Sequence, residues 1–301
     1  MKVALVVLGR IENRYAVEYI KYYKNLGFDD IFIVDNNYVY EEKFENVLQQ
    51  YIDENFVHII DGYGGGAKTG LQTSCYEDAY KNLSNDYDWI AFFDFDEYLY
   101  LVKDTNVKNY LSRKCFENYN QILINWKIYT DNNLIYDDGR TCIERFTTPM
   151  DIKRNIEYDF PENKHVKAFL RCIPELCGFK TPHNATSNIL MNTTCNSVGE
   201  KTTPWPFQAI VYDLAYIKHF TTKTISEYVE NKCKKGVGDR TIDSFNDTYG
   251  LDRFFLYNDV TDEKLNFLKE NGFDITKYIN KIKNIKLDYR DLKYNYLSYN
   301  D

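Results

Sequence analysis

A regular alternation of strand-like and helix-like segments over the first hundred residues most constrains the fold of this chain. Four short runs rich in β-branched and aromatic residues span 2–8, 30–35, 56–60 and 89–93. Between them, segments 13–26, 42–51 and 71–83 carry apolar residues at helical spacing. Strands that alternate with helices indicate βαβ units. The sequence therefore predicts an α/β fold, a mostly parallel sheet flanked by helices.

The remaining two thirds of the chain show weaker patterns. Segments 120–129 and 141–146 are predicted strands, and most of the six prolines fall at or near 150–205, where we expect loops and short strands. Apolar spacing predicts helices over 224–235, 251–257 and 262–271. We therefore expect a helical C-terminal lobe.

Composition excludes some classes of function. The formal net charge of −8 argues against general nucleic-acid binding, which needs a basic surface. Seven cysteines follow no regular spacing, and no apolar run reaches the roughly 18 to 20 residues that span a bilayer. We expect a cytoplasmic protein with free thiols.

Ligands of an open parallel sheet bind at the carboxyl ends of its strands. The residues after the first, second and fourth predicted strands are candidate ligand contacts: Gly9, Arg10 and Glu12; Asp35 and Asn36; Asp94, Asp96 and Glu97. Asp35 could accept hydrogen bonds from a base or ribose, or it could form an Asx turn with the asparagines that follow it.

The sequence Asp94-Phe95-Asp96-Glu97 is the sharpest of these signals. Clustered carboxylates repel one another and cost desolvation, and a divalent cation removes that conflict. Strand alternation places Asp94 and Asp96 on one side, with Phe95 turned to the core. Carboxylate oxygens suit Mn²⁺ or Mg²⁺. The alternative interpretation is a solvated strand end whose acids cap the next turn.

Ordered blocks along the chain carry a family resemblance. They are LGRIEN at 8–13, IVDN at 33–36, Gln72 and Tyr76, DWIAFFDFDEYL at 88–99, NWKIYTDN at 125–132, KHVK at 164–167, Pro182-His183, and KHFTTKT at 218–224. In this order they resemble glycosyltransferase family 92 and its bacterial relatives in the wider family-2-like group, which have the GT-A fold. The resemblance covers about residues 3–257.

The resemblance implies a nucleotide-sugar donor, inversion at the anomeric carbon, and a Mn²⁺ or Mg²⁺ ion on Asp94 and Asp96. It implies that His219 completes the metal site and that Lys223 contacts the diphosphate. It also implies donor contacts from Gly9, Arg10, Glu12, Asp35, Asn36, Gln72 and Asp94. Without the family, a core histidine is the preferred interpretation of His219. Lys223, together with Lys232, Lys235 and Arg240, could contact the diphosphate or could form a solvated basic face.

Inversion needs a general base for the acceptor hydroxyl. We assign this role to Asp131, which follows a predicted strand, with Asp137 and Asp138 as alternatives. The competing interpretation is that Asp131-Asn132-Asn133 is only a turn.

We expect three regions: 1–118 as the nucleotide-sugar-binding α/β half, 119–222 as the acceptor-binding half, and 223–301 as the helical lobe. The tail 275–301 carries apolar residues at helical spacing, with six basic and three acidic residues among them. It could contact an anionic membrane peripherally or pack on the domain.

The function predicted from the sequence is transfer of a hexose, galactose or a similar sugar, from a UDP-sugar to a glycan or lipid-linked oligosaccharide. The alternatives are a nucleotidyltransferase on a similar sheet and a non-catalytic carbohydrate-binding protein. The glycine-rich segment 62–69 lacks the Gly-Lys pair of a phosphate loop and is predicted to be a flexible loop. Cys172, Cys177, His183 and Cys195 do not match zinc-site spacing.

Overall fold

The computed structural model describes residues 1–62, 70–151, 162–174, 176, 178–234 and 250–276. Its first part alternates strands and helices as the sequence predicts. The elements are β1 (Val3–Gly9), α1 (Asn13–Asn25), β2 (Asp30–Asp35), α2 (Glu45–Asp53), β3 (Val57–Asp61), α3 (Leu71–Leu83) and β4 (Trp89–Phe92). Strand β1 lies between β2 and β4, β3 pairs with β2, and all of these pairs are parallel.

The sheet continues beyond β4 with strands from the middle of the chain. These elements are β5 (Glu97–Leu101), α4 (Val107–Leu111), β6 (Gln121–Ile128), α5 (Cys142–Arg145), β7 (Val166–Arg171), β8 (Phe179–Thr181), β9 (Asn184–Ala185), β10 (Thr194–Asn196), β11 (Lys201–Thr202) and β12 (Ala215–His219). The strand order is β11-β10-β6-β7-β4-β1-β2-β3, and β12 pairs with β5 and β6. Strand β7 runs antiparallel between β4 and β6.

Both faces of the sheet are covered by helices, as predicted for parallel strands. On β1, Val3, Leu5 and Val7 pack with the apolar side of α1 and α2, whereas Ala4 and Val6 pack with α3. Burying each large aliphatic or aromatic side chain contributes about 1.5–3 kcal/mol. The predicted fold class, a mostly parallel α/β sheet flanked by helices, is confirmed.

Two elements of the middle region differ from the prediction. Residues 141–146 do not form a strand, because Thr141 and Glu144 form a reciprocal capping box that begins helix α5. Strand β5 was not predicted. It begins at Glu97, directly after the acidic cluster, and pairs antiparallel with β12.

The C-terminal part is helical, as predicted. Helix α6 (Ile225–Tyr228) continues as a π-helical turn (Val229–Lys234), and α7 (Gly250–Tyr257) and α8 (Asp262–Glu270) pack with it around Phe254. Residues 63–69 of the glycine-rich loop, Cys177, and residues 277–301 of the basic tail lie outside the described residues. Among the described residues, no helix combines the length and apolar surface that crossing a bilayer requires.

Candidate functional site

The candidate site lies where β4 ends and β5 begins. Asp94 and Asp96 follow the last residue of β4, and Glu97 is the first residue of β5. His219, the last residue of β12, is the register partner of Glu97. The neighbouring antiparallel strand β7 contributes Lys167. The fold therefore brings together three acids and two basic side chains from separate parts of the chain.

Both carboxylate oxygens of Asp94 accept hydrogen bonds from the protein. Oδ1 accepts from Gln72 Nε2 at 2.8 Å and from the Tyr76 hydroxyl at 3.2 Å. Oδ2 accepts from Lys167 Nζ at 2.7 Å, and the Lys167 side chain is fully buried. The predicted donor residues Gln72 and Asp94 are therefore in contact, and Lys167 compensates the charge of Asp94.

Glu97 is completely buried beneath this pair. Its Oε2 accepts a hydrogen bond from the Asp94 backbone N–H at 2.8 Å and lies 3.5 Å from Lys167 Nζ. Burial, together with the nearby Asp94 and Asp96, raises the pKa of Glu97 well above its usual range despite Lys167. The repulsion among the three acids is thus relieved by Lys167 and by the raised proton affinity of Glu97.

Asp96 has a different environment. Its side chain is 13% exposed, with His219 Nε2 at 3.5 Å and Lys232 Nζ at 3.8 Å. Although burial opposes ionisation, His219, Lys232 and Lys223 hold the pKa of Asp96 well below its usual range. Asp96 is therefore a carboxylate at neutral pH.

The predicted metal ligands fit an ion only in part. Asp96 and His219 supply an oxygen and an imidazole nitrogen, which suit Mn²⁺, and 3.5 Å is a spacing that two ligands of one ion can have. His219 Nδ1 is buried, and no described residue forms a hydrogen bond with it. Asp94, in contrast, is already bonded to Lys167. Within the described ranges, no group of three His, Cys, Asp or Glu side chains is placed to hold a metal. The three-ligand site stays a prediction.

Lys223 lies beside Asp96 at the entrance to α6. It adopts φ of 53°, a left-handed conformation that is uncommon outside glycine, and only 7% of the residue is exposed. Its Nζ lies 4.2 Å from the centroid of the Tyr15 ring, and no described residue accepts a hydrogen bond from it. Although burial opposes it, Tyr15, Asp96 and Glu12 raise the pKa of Lys223. This ammonium is therefore charged, and a ligand oxygen could bond to it.

A buried ion pair fixes the backbone around Lys223. The Glu227 carboxylate accepts from Thr224 Oγ1 at 2.7 Å in a capping box and from the Tyr15 hydroxyl at 2.8 Å. It also accepts from Arg145 Nη1 at 2.7 Å and Nη2 at 3.0 Å, and both of these charged side chains are nearly inaccessible to solvent. Tyr15 therefore contacts both groups: its hydroxyl bonds to Glu227 of the ion pair, and its ring lies under the Lys223 ammonium.

The other predicted donor contacts have protein partners of their own. Arg10 pairs with Glu41 at 2.7 Å. Asp35 Oδ1 accepts from the backbone and side-chain nitrogens of Asn37 at 2.8 and 2.7 Å, which is the Asx turn that the sequence left open. Asn36 is buried, with its N–H bonded to the carbonyl of Gly9.

Asp131 is held inside the protein. It is 1% exposed, and its Oδ2 lies 2.5 Å from Nζ of Lys264, a fully buried residue of α8. Its Oδ1 accepts from the N–H of Asn133 at 2.9 Å, so the predicted turn is also present. Burial raises the pKa of Asp131 although Lys264 lowers it. The role of Asp131 as general base stays a prediction, and the contact with Lys264 competes with it.

The alternative bases also have cationic partners. Asp137 lies 2.8 Å from Arg14 Nε and 3.3 Å from Arg145 Nη1, and Asp138 Oδ2 accepts from Arg140 Nε at 2.9 Å. Cys172 and Cys195, whose spacing does not match a zinc site, are free thiols, and Cys177 lies outside the described residues.

Sequence reasoning gave no role to Lys167 or Trp126. The signal for Lys167 was a lysine inside the apolar strand VKAFLR, where a buried cation requires an acidic partner. Trp126 packs its ring against His219 at 4.2 Å and His165 at 4.7 Å between centroids. No local pattern predicts this arrangement, because its members come from three separate elements.

No family model and no curated protein matches this chain. Solved structures do show similarity. The S. aureus TarS structure is 10% identical with a TM-score of 0.40, and the match covers 86% of this chain and 44% of that one. TarS 1-349 in complex with UDP is 11% identical with a TM-score of 0.41, covering 97% and 78%.

The mannosyltransferase PcManGT from Pyrobaculum calidifontis, in complex with GDP-Man and Mn²⁺, is 10% identical with a TM-score of 0.29, covering 41% of this chain and 35% of that one. The chain thus spans less than half the length of the TarS and PcManGT chains first compared. All three TM-scores lie below 0.5.

Proposed function

We propose that this protein is a glycosyltransferase of the GT-A type that transfers a sugar from a nucleotide-diphosphate donor to a carbohydrate acceptor. The observation that carries the proposal is the Lys223 ammonium at the carboxyl end of the parallel strands, beside Asp96. It is buried and charged, and no residue in the described part of the chain accepts a hydrogen bond from it. A buried ammonium group that still has N–H groups to donate is suited to bind an anionic ligand oxygen.

The donor diphosphate would bind between Lys223 and Lys232. A diphosphate leaving group gains negative charge as the glycosidic bond breaks, and fixed ammonium groups stabilise that charge without reorganising. Lys223 is held rigidly by the Tyr15 ring and by the helix cap at Thr224. Two unit charges about 4 Å apart interact by roughly 4 kcal/mol at an effective dielectric near 20, enough to change a rate by orders of magnitude.

We propose that Asp96 and His219 hold a Mn²⁺ or Mg²⁺ ion, which when bound supplies further neutralisation of the diphosphate. Asp94 serves a different purpose. It is locked by Lys167, Gln72 and Tyr76 but keeps 33% of its side chain exposed, so it can orient a hydroxyl of the donor. UDP as the nucleotide, a hexose as the sugar, and a glycan or lipid-linked acceptor are proposed from the sequence resemblance.

A screen of UDP, GDP, CDP and ADP by thermal shift, with and without Mn²⁺, tests the proposal. A ligand at 100 times its dissociation constant stabilises the native state by about 2.7 kcal/mol. We expect UDP to raise the melting temperature more in Mn²⁺ than in EDTA. Absence of a response to every nucleotide in both conditions would contradict the proposal.

Variants then locate the site. Lys223→Met removes the ammonium but keeps an unbranched side chain, and we expect it to weaken UDP binding at least about tenfold, as for the loss of one partly buried charged hydrogen bond. Lys21→Met, at an exposed position of α1, is the matched control and should bind UDP like the wild type. If both variants weaken UDP binding equally, nucleotide binding does not depend specifically on Lys223.

A further inference from the structure

The strands β5, β12 and β6 carry tyrosine and lysine side chains on the face opposite His219 and Trp126. Tyr100 is the register partner of Tyr216, and Lys218 is the register partner of Lys127. Because side chains alternate along a strand, Lys218 and Lys127 point away from their neighbours His219 and Trp126. We call this surface the tyrosine–lysine face and define it by Tyr100, Lys127, Tyr212, Tyr216 and Lys218.

Its lysines contact aromatic rings. Lys127 Nζ lies 4.6 Å from the ring centroid of Tyr216 and 5.2 Å from that of Tyr212. Lys218 Nζ lies 4.8 Å from the centroid of Tyr100. In the described part of the chain, neither Lys127 nor Lys218 forms an ion pair with an acidic side chain. Cation–π contacts compensate a charge less completely than a carboxylate does.

The two charges also disfavour each other. Burial lowers the pKa of Lys127, and burial followed by the charge of Lys127 lowers the pKa of Lys218. An anion between them would relieve this repulsion. In a chain whose net charge is −8, two adjacent cations without an acid form a local site of opposite sign to the whole protein.

The tyrosine side chains of this face indicate which class of anionic ligand it could bind. The rings of Tyr100 and Tyr216 stack at 4.9 Å with 30° between their planes, and Tyr100 leaves 39% of its surface exposed. A tyrosine offers both an apolar ring and a hydroxyl, which suits a ligand with C–H faces and many hydroxyl groups. Two cations are too few for nucleic acid or for a stable anionic bilayer contact, which require larger basic clusters.

We propose that the tyrosine–lysine face binds an anionic polysaccharide, with an acidic group of the chain between Lys127 and Lys218 and a sugar ring against Tyr100. Identifying this polysaccharide as the acceptor of transfer rests on the proposed function. Binding itself does not, because none of the five residues that define the face is among the residues proposed to bind the donor. The acceptor would then be held by residues other than those that bind the donor.

Affinity gel electrophoresis tests the binding. The full chain is run through gels containing dextran phosphate, alginate or unmodified dextran, in the presence of saturating UDP and Mn²⁺. Dextran has the same backbone as dextran phosphate without its charge. We expect retardation by dextran phosphate or alginate and none by dextran. Failure of both anionic polymers to retard the wild type, or equal retardation by dextran, would overturn the proposal.

The double variant Lys127→Gln/Lys218→Gln should raise the dissociation constant for dextran phosphate at least about fivefold. Exposed charge pairs contribute a few tenths to one kcal/mol each. Lys21→Gln/Lys81→Gln removes the same charge from exposed helical positions and should leave binding unchanged. If the two double variants behave alike, or if phosphatidylglycerol vesicles or single-stranded DNA compete with dextran phosphate at equal charge concentration, the assignment is wrong.

The nucleotide thermal shift separates the two proposals. The double variant Lys127→Gln/Lys218→Gln should keep the UDP response of the wild type, because neither residue lies at the candidate site. Loss of polysaccharide binding with an intact UDP response supports the tyrosine–lysine face. A wild type that binds dextran phosphate through these lysines but no nucleotide would contradict the proposed function and leave the polysaccharide site standing.

Discussion

Replacing Asp131 distinguishes a structural carboxylate from a general base. Asp131 and Lys264 are 2% and 0% exposed in their side chains and 2.5 Å apart. Removing one partner leaves a buried charge without compensation, which costs about 3–5 kcal/mol. We therefore expect Asp131→Asn to lower the free energy of unfolding by about 3 kcal/mol, the lower end of that range because Asn133 and the Asp259 carbonyl still accept from Lys264.

A double-mutant cycle gives the size of the interaction. Lys264→Met should destabilise the protein comparably, whereas Asp131→Asn/Lys264→Met should cost much less than the sum of the single changes, because no buried charge remains. The measurement is urea unfolding followed by circular dichroism, with thermal denaturation as a check, in which about 3 kcal/mol corresponds to roughly 5–10 °C.

Transfer activity provides the second measurement. A structural role predicts that activity per folded molecule survives in the double variant. If Asp131→Asn keeps the stability of the wild type but loses turnover by orders of magnitude without weakening nucleotide binding, the structural interpretation is refuted and Asp131 is the base.

Two further predictions concern the frame of the site. Burial opposes ionisation of Glu227, but Arg145 outweighs it and lowers the pKa of Glu227 to about 2. The ionised carboxylate therefore stabilises the native state fully above about pH 4.5. This contribution, roughly 3 kcal/mol, is lost as the pH falls from 4.5 towards 2. Glu227→Gln should thus destabilise the protein at pH 7, and unfolding midpoints measured from pH 7 to pH 3 should decline less in the variant; parallel declines would contradict the role of this pair. Gly9→Ala places a Cβ 2.4 Å from Phe95 Cε2 and 2.7 Å from Phe44 Cζ, which belong to two buried, stacked rings. We expect this overpacking to destabilise the protein by about 1–3 kcal/mol. Because Phe95 lies between Asp94 and Asp96, we also expect a smaller UDP thermal shift. An unchanged melting temperature and UDP response in Gly9→Ala would show that the rings accommodate the methyl group.

Local patterns were sufficient for the part of the fold that depends on local spacing. The β1 to β4 region was predicted because apolar runs and helical spacing persist over several turns, and Leu71–Leu83 is bounded as predicted. The prediction failed at 141–146, where the apolar alternation of a few residues competes with the capping chemistry of Thr141 and Glu144. In short segments the cap decides the structure.

The sequence by itself determined the parallel α/β core and the position of Asp94 and Asp96 at a strand end, because both follow from periodicity along the chain. Only the tertiary structure decided the electrostatics of these acids. Strand β7 enters the sheet antiparallel beside β4 and brings Lys167 to Asp94. Helix α8 brings Lys264 to Asp131 in the same way. The physical reason is that charge compensation depends on distances of a few ångströms between residues far apart in the chain, and sequence spacing does not specify those distances.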